Sequence, residues 1–117
     1  MTPEQLKART KKFALDVIEL VSKLPRTLVA EIIGRQLVRC STSVGANYRA
    51  ACRGRSRAEF SAKVAVALEE ADESLYWLEI LRDSGIFPDE SVHVLIMEAD
   101  ELVAIFAASY KTAKAHR

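Results

Sequence analysis

The sequence predicts an all-α protein: an antiparallel up-down-up-down four-helix bundle formed by one domain over residues 1–117. Three observations predict it. Hydrophobic residues make up 50% of the chain and aromatics only 7%, with four glycines and three prolines, which suits helices and leaves too few turn residues for a sandwich or barrel. Apolar residues recur at three- and four-residue steps over long stretches. Strong turn signals fall at three places, around Pro25, at Gly54 and across residues 83–89. A chain of 117 residues is long enough to bury a core without disulfides or metals.

The first helix is expected over residues 3–23. Thr2 serves as N-cap, Pro3 suits the first helical position, and Pro25 ends the helix. Leu6, Phe13, Val17, Leu20, Val21 and Leu24 form its apolar stripe. The second is expected from about residue 27 to 53, along Ile33, Leu37, Cys40, Val44, Asn47/Tyr48 and Ala51. Its weak point is residues 41–45, where Gly45 and three hydroxyl residues lower helix propensity and make a loop the main rival. Gly54 is the expected C-cap glycine, and Ser56 with Glu59 reads as a capping box opening the third helix, over residues 57–82. That helix carries one stripe from Phe60 through Val64, Ala67, Ala71, Leu75 and Leu78 to Leu81, and a second with Tyr76, Trp77 and Ile80. Gly85 and Pro88 mark the last turn. The fourth helix, residues 89–111, uses Val92, Leu95, Ile96, Ala99, Leu102, Val103, Phe106 and Tyr110, and the basic tail beyond it is expected to fray.

The last two helices are apolar over more than one stripe, whereas a helix in a simple bundle needs one buried face. The surplus predicts self-association, most simply in a closed ring. Tyr76 and Trp77 are the expected core or interface anchors. Asn47, on the second helix's core stripe, is expected to fix register or oligomer state, while Gly45, Ser41, Ser43 and Ala46 allow helices to approach closely.

A formal net charge of +1 hides a strong asymmetry. Residues 26–63 carry eight Lys/Arg against two acids, and residues 64–105 carry Arg82 alone against eleven acids. Either the two segments neutralise each other across helix faces, or the basic one faces a polyanion. Arg39, Arg49, Arg53, Arg55, Arg57 and Lys63 are the candidate nucleic-acid contacts, because guanidinium forks suit phosphate and four of these arginines fall within nine residues. Their alternative partners are Glu69, Glu70, Asp72 and Glu73, within or between subunits. No aromatic residue interleaves with the four arginines from Arg49 to Arg57 in sequence, so the pattern of single-strand stacking is absent there.

Catalysis and cofactors have little support. Cys40 and Cys52 would lie roughly 18 Å apart on one helix, too far for a disulfide. Both read as small packing residues of a reduced, cytoplasmic protein. The chain opens without signal-peptide character, and its most apolar stretch is too short to span a bilayer. Of the two histidines, His93 and His116, only His93 follows a glutamate (Glu90) at di-iron spacing, and that motif needs a second copy. No metal, cofactor or catalytic constellation is therefore expected.

Phe13, Val17-Ile18 and Leu24-Pro25, then Gln36-Leu-Val-Arg39, Ser41-Thr-Ser-Val-Gly-Ala-Asn-Tyr48, Ser56, Glu59-Phe60, Lys63, Ala67-Leu-Glu-Glu70, Glu73-Ser74 and Tyr76-Trp-Leu78 carry a family resemblance. In this order they resemble the bacterial 23S rRNA-intervening-sequence proteins. The resemblance covers the first three helices and is most specific in its central part. It implies an antiparallel bundle assembled as a homopentamer, and a role linked to RNA or to a nucleic-acid-processing protein. Relatives of that family include the accessory protein of diversity-generating retroelements, a strongly basic pentamer, from which this near-neutral chain departs. Ala50 stands where the family usually has an acid after Asn47-Tyr48, which leaves the neighbouring arginines freer. Two functions follow: a non-enzymatic ring that binds RNA through the arginines, or an interaction module whose charges pair across subunits.

Overall fold

The computed structural model describes residues 1–115. Among them are four α-helices and no strand: α1 (Pro3–Ser22), α2 (Leu28–Cys52), α3 (Arg57–Ser84) and α4 (Glu90–Ala115). A 25-residue helix is about 37 Å long, so the overall extents of 47 × 21 × 19 Å describe helices laid side by side along one axis.

Local chemistry sets the helix ends. Thr2 Oγ1 accepts the Gln5 N–H at 3.1 Å while Gln5 Oε1 accepts the Thr2 N–H at 2.9 Å, a reciprocal cap before Pro3. Thr27 caps α2 by accepting the Ala30 N–H at 3.2 Å. Ser56 accepts the Glu59 N–H at 3.1 Å, as its capping-box position predicts. The Glu59 carboxylate, however, accepts from the Arg55 N–H at 2.6 Å, and so ties down the turn rather than closing the box on Ser56.

Gly54 directly follows Arg53, the C-cap of α2, as a terminating glycine should, but without a positive φ; Gly85, with φ 73°, is the one residue in that conformation among the described residues. Gly54 is needed for space instead, since a Cβ there would meet the Ala51 carbonyl oxygen at 3.0 Å and Glu59 Cβ at 3.3 Å. α2 passes unbroken through residues 41–45, which rules out the rival loop. α3 runs two residues beyond the expected end, and α4 continues through the tail expected to fray, as far as Ala115. His116 lies outside the described residues.

Each helix packs on two others: α2 on α1 and α3, α4 on α3 and α1. The core they enclose contains Phe13, Val17, Leu37, Val44, Val64, Leu78, Leu81, Leu102 and Phe106, all fully buried or nearly so. Tyr48 and Phe106 meet inside it with ring centroids 5.6 Å apart.

Asn47 requires a correction. It is half-buried, and its Nδ2 donates to the Ser43 carbonyl at 2.8 Å on its own helix. Val44 and Tyr48 hold the core positions. Gly45 has the close approach expected of it, because a Cβ there would lie 3.0 Å from Thr10 Oγ1. Gly34 plays the same part against Val21. Trp77 packs partly buried against the core, whereas Tyr76 is 55% exposed, with its ring edge-on to Trp77 at 5.5 Å.

Candidate nucleic-acid interface

The candidate cations separate into two groups. Arg39, midway along α2, is engaged by α3. Its guanidinium donates to the Glu73 carboxylate and lies 3.6 Å from Glu70. The Glu73 hydrogen bond, more than any other contact, raises the Arg39 pKa above its ordinary value. Arg39 is therefore engaged with the acidic face of α3, unlike the candidates nearer the α2–α3 turn. Beneath it, Ser74 Oγ donates to Cys40 Sγ at 3.3 Å, and burial pushes the Cys40 thiol up, away from the thiolate a nucleophile needs.

Arg49 and Arg53, on the last turn and C-cap of α2, and Arg55 in the following turn are exposed. So is Lys63, in the second turn of α3. Among the described residues none of these four has an ion-pair partner. For Arg53 and Arg55 geometry explains why: Glu69 is twelve residues beyond the start of α3, roughly 18 Å along the helix axis, out of reach of a side chain at the α2–α3 turn. The acidic face, a shallow groove edged by Glu69, Glu70, Asp72, Glu73 and Tyr76, thus takes only Arg39 from the basic segment.

At the arginine-rich end the turn forms one wall of a second groove, lined by Gly54, Arg55, Ser56, Arg57 and Phe60. The last turns of α4 form the other wall, through Ala108, Ser109, Thr112 and Ala113. Those turns also bring Lys111 and Lys114, both exposed, and Lys114 Nζ sits 5.6 Å from the centroid of Tyr110. Sequence reasoning missed Phe60 here because its spacing matches the core stripe. In the fold it does both, packing on the core and lining the groove. The signal lay in its position one residue after the capping box, where a helix's first turn still borders the preceding loop.

Among the described residues no group of three His, Cys, Asp or Glu is placed to hold a metal ion, and His93 is exposed. Among the described residues no helix is long and apolar enough to cross a membrane.

Comparison with known families matches residues 5–108 to the 23S rRNA-intervening sequence protein family. The chain belongs to that family. Among solved structures, this family member is similar to a protein of unknown function from the S23 ribosomal protein family of Bacteroides thetaiotaomicron. The two are 30% identical with a TM-score of 0.85, over 95% of this chain and 99% of the other. Comparison with curated proteins found no match. The family match takes in all of α1 to α3 except the first two residues of α1, and most of α4; it covers the turn wall of the arginine-rich groove but only Ala108 of the α4 wall.

Proposed function

We propose that this protein is a non-enzymatic scaffold. It assembles as a homopentameric ring of up-down-up-down bundles and holds RNA at the arginine-rich end of each subunit. One observation carries the RNA reading: Arg49, Arg53 and Arg55 are exposed and their guanidinium groups have no carboxylate partner among the described residues, although the chain holds a surplus of acids on α3. Cations that the subunit's own acids leave unpaired suit an external polyanion, and the family's name links it to 23S rRNA.

Paired contacts support these helix directions. Thr10 meets Gly45 while Val21, further along α1, meets Gly34, earlier on α2. Across α2 and α3, Cys40 meets Ser74 while Gly54 meets Phe60. Support for a ring comes from surfaces that one subunit leaves unpaired. Glu69 and Asp72 have no cation partner among the described residues, and Leu28, Val29 and Ile32 at the start of α2 stand 74%, 54% and 48% exposed. Contacts between two different surfaces close into rings when the rotation allows, and five is the number the family resemblance implies.

The second reading has the same acidic face as its support: Arg49 and Arg53 would pair with Glu69 and Asp72 of a neighbouring subunit. Fluorescence anisotropy with a structured RNA, across a salt series, separates the two. The RNA reading predicts a log–log salt slope of about −2 to −3, as for three or four phosphate contacts. It also predicts that Arg53→Glu with Arg55→Glu abolishes binding at unchanged particle mass. No binding at low salt, with the same variant falling apart to subunits, would replace it by the second reading.

A further inference from the structure

Resting on the RNA reading, we infer that the groove between the α2–α3 turn and the end of α4 seats an unpaired base of single-stranded RNA, with Phe60 as the stacking surface. The fold brings together what the sequence keeps apart. Phe60 supplies an aromatic ring in a cleft whose mouth carries Arg55, a side chain with no ion-pair partner among the described residues. Ser56 on one wall, with Ser109 and Thr112 on the other, supplies hydroxyls able to donate to or accept from a sugar or base edge. Ala108, on the α4 wall, is small and exposed.

Each component has a defined task in holding one unstacked nucleotide. The ring takes the base face, which every base offers, and Arg55 takes the adjoining phosphate. A duplex cannot use the ring, because its bases are stacked on each other and face inward. It can reach only the exposed arginines. Single strands are therefore the preferred form, with little dependence on sequence.

The test compares a single-stranded oligonucleotide with a duplex of the same length, binding to the full chain by anisotropy at low salt. The wild type binds the single strand more tightly. Phe60→Leu keeps the apolar packing and removes the aromatic face, and Ala108→Leu fills the groove from the exposed side without adding an aromatic face. Each weakens single-strand binding by about 5- to 100-fold, the effect of losing one base–aromatic stack, and leaves duplex binding unchanged. Circular dichroism and particle mass verify that both variants fold and assemble. Equal affinity for the two forms, or full single-strand affinity in both variants, overturns the inference and leaves the RNA reading standing. Failure to bind either form overturns both.

Discussion

Gly45 and Gly85 are glycine for different physical reasons, and their alanine variants should fail differently. Gly85 has open space around it, so Gly85→Ala costs only the left-handed backbone. The expected loss is about 1 kcal/mol, or roughly 4 °C in Tm. Gly45→Ala gains up to about 1 kcal/mol of helix propensity but drives a methyl to 3.0 Å from Thr10 Oγ1 and 3.3 Å from Thr10 Cβ. Thr10 cannot turn aside, because it is fully buried with its hydroxyl donating to the Leu6 carbonyl at 3.0 Å. Overpacking costs about 1–3 kcal/mol, so the net effect on urea unfolding should be destabilising. Tyr48 adds a pH dependence. Burial first, and the Cys52 thiol second, push its phenol far above the ordinary value near 10. Where the unfolded chain loses that proton, the folded one keeps it, so stability is whole below about pH 10 and declines above it. Tyr48→Phe keeps the ring beside Phe106 and should flatten the decline, as read by chemical denaturation from pH 8 to 11. At this scale the sequence was legible where one role decides a residue, as at Gly45, and misleading where two positions compete. Asn47 and Tyr48 both fit the apolar period. The bulkier ring took the core, and the amide turned to a carbonyl of its own helix.

The seam between α1 and α4 shows how an element is held when its packing is sparse. Arg9 on α1 reaches Glu98 through two hydrogen bonds of 2.7 Å, and Glu101 at 3.1 Å. The Glu98 hydrogen bond is the leading cause of the raised Arg9 pKa, with burial opposing it. A bidentate, partly buried pair should give a coupling of about 1 kcal/mol in a double-mutant cycle of Arg9→Ala with Glu98→Ala. Thr27→Ala should cost α2 about 1 kcal/mol through its lost cap, measurable as a fall in Tm. The starts of α1 and α3 were legible because caps are local: Thr2 with Pro3, and Ser56 with Glu59, each announce themselves within four residues. The end of α4 was not, because residues 111–115 contain neither glycine nor proline and the alanines and lysines there continue a helix readily. Arg39 was grouped with the other arginines for a related reason. A count of charge along the chain ignores height on the bundle axis, and that height sets Arg39 against Glu70 and Glu73.

At the scale of the whole molecule, charge is segregated by level. Acids line the middle of α3, while unpaired arginines and the lysines of the last turns of α4 occur together with the groove of the α2–α3 turn. The four-helix architecture was legible because periodicity and turn signals are properties of one strand of sequence. The groove was not, because half of it comes from α4, some fifty residues away from the arginines in the chain. The central claim is that this end is a polyanion surface on an assembled ring. Light scattering tests it most directly, giving the particle mass of the wild type and of the Arg53→Glu, Arg55→Glu variant, with and without a structured RNA, at low and high salt. The account predicts five subunits for both proteins, with RNA adding mass only to the wild type and only at low salt. A five-subunit particle whose mass RNA leaves unchanged, or a wild-type monomer, would contradict it.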